Sequence, residues 1–88
     1  MTTRRQISTR YSWMRLEPLS LNDWLVIDTE QAALTGDGVI GHIQYLFGLY
    51  EVLSRREPTG RAYFESLNFA VDSFATESQA AESQLTTT

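Results

Sequence analysis

No cysteine occurs among the 88 residues, and this absence constrains the fold more than any motif does. A chain this short buries roughly 60–65% of its unfolded surface. Small domains often supplement so thin a core with disulfides; this one must rely on apolar packing. Apolar residues form 42% of the chain, enough for one modest core and too many for wholesale disorder. The missing thiols also exclude a Cys-ligated zinc site and cysteine catalysis. No apolar run reaches membrane-spanning length, and no apolar core follows Arg4-Arg5 as a secretion signal requires. The expectation is one domain with no membrane association.

The net charge of -4 is laid out in blocks. Residues 1–16 carry Arg4, Arg5, Arg10 and Arg15 without an acid. Residues 17–53 carry Glu17, Asp23, Asp28, Glu30, Asp37 and Glu51 without a base. Arg55, Arg56 and Arg61 form a second basic block beside Glu57, and Glu65, Asp72, Glu77 and Glu82 close the chain. Opposite blocks in so short a chain are expected to meet within one fold. Turned outward, they would face a partner's phosphates or carboxylates.

Local patterns predict the elements. Residues 1–9 are polar and aperiodic, and read as a flexible arm. Over residues 10–16, Tyr11, Trp13 and Arg15 alternate with Ser12, Met14 and Leu16, which predicts a strand ended by Pro18. Residues 23–29 hold the apolar run Trp24-Leu25-Val26-Ile27 between acids, a short central strand. Residues 30–38 read as a connection with turn signals at Gly36 and Gly38. Residues 39–53 satisfy a helical period, but Gly41 and Gly48 would each cost a helix about 1 kcal/mol. A hairpin turning at Gly48 is the reading taken. Residues 55–60 predict a turn and residues 61–64 a short strand. After Ser66, a plausible N-cap, Leu67, Ala70, Val71, Phe74 and Ala75 keep helical spacing. That predicts a helix over about 66–77; residues 78–88 either prolong it by a turn or two or form a frayed tail, with the final threonines frayed. The expected fold is an α+β domain over 10–77. It has an antiparallel sheet of three to four strands with one C-terminal helix packed on one face.

Chemistry-bearing motifs are scarce. His42 is the only histidine. As a general base it would need Asp28 or Glu51 beside it; otherwise it is a half-exposed strand residue on the polar face with Gln44. No serine sits in a nucleophile elbow, and Gly36-Asp37-Gly38 is too short for a phosphate loop. No catalytic, cofactor or metal site is expected, and the chain is not read as an enzyme. The aromatic residues are more informative. Phe64, Phe69 and Phe74 are expected in the core. One helix cannot cover every ring on such a sheet, and exposed Trp or Tyr beside Arg has the composition of a protein-binding hot spot. Trp13, Arg15, Trp24 and Tyr50 are therefore the candidate partner-binding residues, for a protein partner or a homodimer. The alternative is a nucleic-acid module using the sheet face with Arg10, Arg15, Arg55, Arg56 and Arg61. A three-stranded sheet followed by a helix, over about residues 38–77, resembles AP2-type and integrase arm-binding domains in architecture. Such domains expose bases on their strands, whereas these strands carry Asp28 and Glu51.

One further likeness rests on Arg10-Tyr11-Ser12-Trp13, Asp23-Trp24-Leu25-Val26-Ile27-Asp28, Gly41-His42-Ile43, Gly48-Leu49-Tyr50-Glu51-Val52-Leu53 and Tyr63-Phe64-Glu65-Ser66-Leu67. Over about residues 10–76 the chain is similar to small uncharacterised proteins of actinobacteria. The resemblance implies a cytoplasmic bacterial protein with a strand pair at residues 39–53. It implies no activity.

Overall fold

The computed structural model describes residues 7–86, with side chains as far as Thr76. Six strands follow one another as β1 (Ile7–Ser8), β2 (Met14–Ser20), β3 (Asp23–Asp28), β4 (Val39–Leu46), β5 (Leu49–Ser54) and β6 (Glu57–Phe64). Each pairs antiparallel with the next, so spatial order equals chain order. Helix α1 (Thr29–Thr35) joins β3 to β4, and α2 (Leu67–Thr86) follows β6. The expected sheet of three or four strands with one helix is thus corrected to six strands with two helices. No helix among the described residues is long and apolar enough to cross a membrane.

Each correction has a local cause. Pro18 does not end β2; it lies within the strand, opposite Trp24. The two-residue β1 pairs β2 only at Arg15 and Leu16. At Pro18 the outer side of β2 is therefore an edge among the described residues, where a missing N–H is tolerated. Pro58 enters β6 for the same reason, and there the register with β5 shifts between Val52 and Ser54. Ile7 and Ser8, assigned to the arm, form β1; residues 1–6 of that arm lie outside the described residues. Helix α1 was read as a connection because it has no buried residue, and so no apolar stripe to detect. Its ends hold it instead. The Asp28 carboxylate accepts from the Glu30 and Gln31 N–H groups, both at 3.0 Å. Gly36, at φ 80°, closes the other end by donating to the Ala32 carbonyl, the left-handed stop a helix commonly uses.

The core lies between α2 and one face of the sheet. Met14, Leu16, Val26, Ile43 and Val52 supply the sheet side, and Ala70, Val71, Phe74 and Ala75 the helix side. Ser66 caps α2 as its sequence suggests, its hydroxyl accepting from the Phe69 N–H at 3.1 Å. The expected buried stripe on α2 is present, and the helix continues past 77 to Thr86, a prolongation that the sequence allows. Phe74 is buried as expected; Phe69, expected in the core, is 59% exposed. The hairpin at Gly48 forms, with Gly48 at φ 82°. Gly41 has a separate role: a Cβ there would stand 2.3 Å from the Phe74 ring. The glycine is the seat on which Phe74 lies, which is why it interrupts an otherwise apolar strand.

Candidate functional site

Strand pairing sets what stands on the face of the sheet opposite α2, where Ile27 is buried. Arg15, Ile27 and Val39 form one row across the strands. Glu17, Leu25, His42 and Leu53 form the next, and Asp23, Gln44, Glu51 and Tyr63 a third. A shallow groove of about 400 Å³ crosses the middle of this face, walled by Leu25, Val39, Leu53 and Pro58, with His42 and Arg55 beside them. The face is apolar at its centre and charged toward both sides.

Its polar groups are mostly spoken for. His42 Nε2 lies 3.1 Å from the Asp23 carboxylate. Asp23 also accepts from the Ser20 hydroxyl, and these two contacts, Ser20 first, hold its carboxyl below the ordinary range. The chain of contacts runs Ser20, Asp23, His42, with the carboxylate between hydroxyl and imidazole. A nucleophilic serine needs the imidazole in that middle place; this order orients His42 without activating Ser20. Neither Asp28 nor Glu51 stands beside His42 as a general-base arrangement required: Asp28 caps α1, and Glu51 takes the Tyr63 hydroxyl at 3.0 Å and Arg61 at 3.5 Å. The Tyr63 hydroxyl is pushed above its usual pKa, chiefly by its bond to Glu51. Among the described residues no three metal-ligating side chains converge.

A second surface lies at the end of the sheet where the β2–β3 and β4–β5 turns sit. The Tyr45 N–H donates to the Asn22 carbonyl at 2.7 Å, which ties the first turn against β4. Leu21 on that turn and Phe47 at the hairpin tip are each 95% exposed. Leu19, Tyr45, Leu46 and Leu49 stand around them, each with more than a third of its surface exposed. Phe47 holds φ 52°, a left-handed conformation in which a bulky side chain is uncommon. Beneath the rim, Tyr50 stacks against Tyr45 at 4.9 Å and Trp24 at 6.2 Å between ring centroids.

The four candidate residues do not form one patch. Trp24 and Tyr50 come together on the helix side, half-buried against the core, where they support the rim rather than crown it. Trp13 sits in the turn before β2, not on a strand, beside Tyr11 at 6.0 Å. Arg15 is on the face opposite α2, its Nε buried without a hydrogen-bond partner. Sequence reasoning missed Phe47 and Leu21. The available signal was an aromatic residue at a hairpin tip, where Asn or Asp usually precedes the glycine.

The basic residues do not converge. Arg10 pairs with Asp72 of α2 at 2.7 Å, Arg55 with Asp37 before β4 at 3.3 Å, and Arg61 with Glu51 of β5. The charge blocks meet inside the fold.

Comparison with protein-family models, with curated proteins and with solved structures gave no match to this chain.

Proposed function

We propose that this chain is a non-enzymatic protein-binding module that docks a partner through the apolar rim at Leu21 and Phe47. The observation that carries the reading is the pairing of two almost fully exposed apolar side chains on adjacent turns of one sheet end. One of them is an aromatic residue held at positive φ. A strained position occupied by a side chain that packs on nothing points to a role outside the fold. Contiguous exposed apolar surface on a small domain marks an interaction site. Burying Leu21 and Phe47 would contribute roughly 1.5–3 kcal/mol each, enough for a hot spot. Three of the five arginines that a phosphate-binding surface would use, Arg10, Arg55 and Arg61, are instead paired with Asp72, Asp37 and Glu51.

The test is capture by the tagged full chain from its native lysate, at two salt concentrations, with and without nuclease. Wild type and Phe47→Asp are compared. A protein that survives salt and nuclease and is lost in Phe47→Asp supports the reading. Equal capture by both chains refutes the rim, and bound material lost to nuclease would establish the nucleic-acid alternative.

A further inference from the structure

We propose that the occupant of the rim is a basic amphipathic helix of the partner, laid between Leu21 and Phe47 with its lysines or arginines toward Asp23, Glu51 and Glu65. This rests on the reading of the rim as a docking surface and names the chemistry of what docks there.

Spacing gives the shape of the occupant. Strands β2, β3, β4 and β5 are consecutive neighbours, so the β2–β3 and β4–β5 turns stand two strand spacings apart, about 10 Å. An α-helix with its side chains is about 10–12 Å across. A helix straddled by Leu21 and Phe47 therefore touches both. Tyr45 and Leu46, 42% and 38% exposed, end β4 between the two turns and give it an apolar floor. The bond from the Tyr45 N–H to the Asn22 carbonyl holds the turns against each other, which leaves little ordering to oppose binding. Laying the apolar face of a helix into such a seat is a recurrent mode of recognition.

Charge gives its sign. Asp23 follows the turn that carries Leu21 and pairs with Ser20. Glu51 lies two residues beyond Leu49 on β5, hence on the same side of the sheet as that leucine. Glu65 follows Phe64, whose partner is Tyr50; it is exposed and has no ion pair among the described residues. The Asp23 carboxyl, held below its ordinary range by Ser20 and then His42, stays ionised near neutrality. Among the described residues the arginine nearest this border is Arg61, and it is already paired with Glu51. Arg15, Arg55 and Arg56 lie toward the other end of the sheet, and Arg10 is paired with Asp72 of α2. The rim is an apolar saddle with an acidic border, and a basic helix complements both parts. A second copy would bring acid onto acid, and an anionic bilayer would be repelled in the same way.

The test is a titration of the isotope-labelled full chain with three synthetic peptides, followed by amide shifts in NMR spectra. One peptide is an amphipathic helix of leucine and lysine. The second has every lysine replaced by glutamate, and the third has the composition of the first in an order without an apolar face. The lysine helix should shift Leu21, Phe47 and their neighbours, and bind at least about tenfold tighter than either of the others. Phe47→Asn should weaken it at least about tenfold, and Glu65→Lys about threefold; unchanged shifts elsewhere show that both variants are folded. A glutamate helix or a reordered peptide that binds as tightly overturns the basic helix. So do shifts that avoid the rim or survive Phe47→Asn, and so does an absence of binding by all three. Rim shifts produced by concentrating the chain alone, or by phosphatidylcholine vesicles, would assign the rim to a second copy or to a bilayer instead. Capture from the lysate separates the two readings: a partner lost in Phe47→Asp leaves the rim standing where the basic helix has failed, and equal capture with no rim shift removes both.

Discussion

Replacing Phe47 by asparagine separates a residue kept for folding from one kept for contact. Phe47 is 95% exposed at φ 52°, and the next residue, Gly48, has φ 82°. Two successive positive φ values at a two-residue hairpin loop define the turn that favours Asn-Gly. A left-handed conformation costs an ordinary L-residue roughly 1–2 kcal/mol, and asparagine offsets part of that cost by local hydrogen bonding. Almost no buried apolar area is lost, because the ring packs on almost nothing. The balance predicts that Phe47→Asn stabilises the folded chain by about 1 kcal/mol. In a domain of this size that raises Tm by roughly 4–8 °C. Thermal and urea unfolding of the two chains side by side measure it. The same variant should capture less partner, so that stability and binding move in opposite directions. A loss of stability of about 1 kcal/mol would refute the reasoning, since it would mean that the ring is packed and its backbone unstrained.

Three further outcomes are expected. Gly41→Ala should cost about 1–3 kcal/mol of stability, because its Cβ would meet the Phe74 ring at 2.3 Å and the Leu53 carbonyl at 2.7 Å; Phe74→Leu in the same chain should recover part of the loss. Asp28→Ala removes the acceptor of two α1 N–H groups and should cost about 1 kcal/mol, with faster amide exchange across α1 while β4 and β5 remain protected. On acidification, stability should fall. The Asp23 carboxyl is held below its ordinary range by Ser20 and then His42, and that of Asp37 by the Val39 N–H and then Arg55. A carboxyl depressed in the folded chain contributes stability above the usual value of about 4 and loses it as pH falls through the folded value. Asp23→Asn and Asp37→Asn should therefore each flatten the acid limb of a stability–pH curve; an unchanged slope in both would remove these carboxylates as its source.

The elements legible in the chain were those whose signal is local. Leu67, Ala70, Val71, Phe74 and Ala75 repeat at the helical period, so α2 and its buried stripe could be read without knowing their partner. At residues 39–53 the period fits a helix while Gly41 and Gly48, costly inside a helix and useful at a turn, fit a hairpin, and the resemblance tips the reading to the hairpin. Helix α1 was legible only at its caps, Asp28 and Gly36, since a helix that buries nothing leaves no period behind. Strand β1 and the first half of β6 escaped for a different reason. A two-residue strand and a proline-bearing edge strand exist only by virtue of the neighbour they pair with.

The division at the site follows the same physics. Composition and spacing, being properties of the chain itself, set a single cysteine-free core, charge blocks that neutralise one another, and more rings than one helix can cover. The side of the sheet each ring and charge occupies depends on register, and a slip of one residue exchanges the two faces of a strand. Register is settled by pairing between distant segments. Only in the folded sheet, therefore, do Trp24 and Tyr50 turn toward the core, Arg15 and Glu17 toward the opposite face, and Phe47 and Leu21 into solvent at one end.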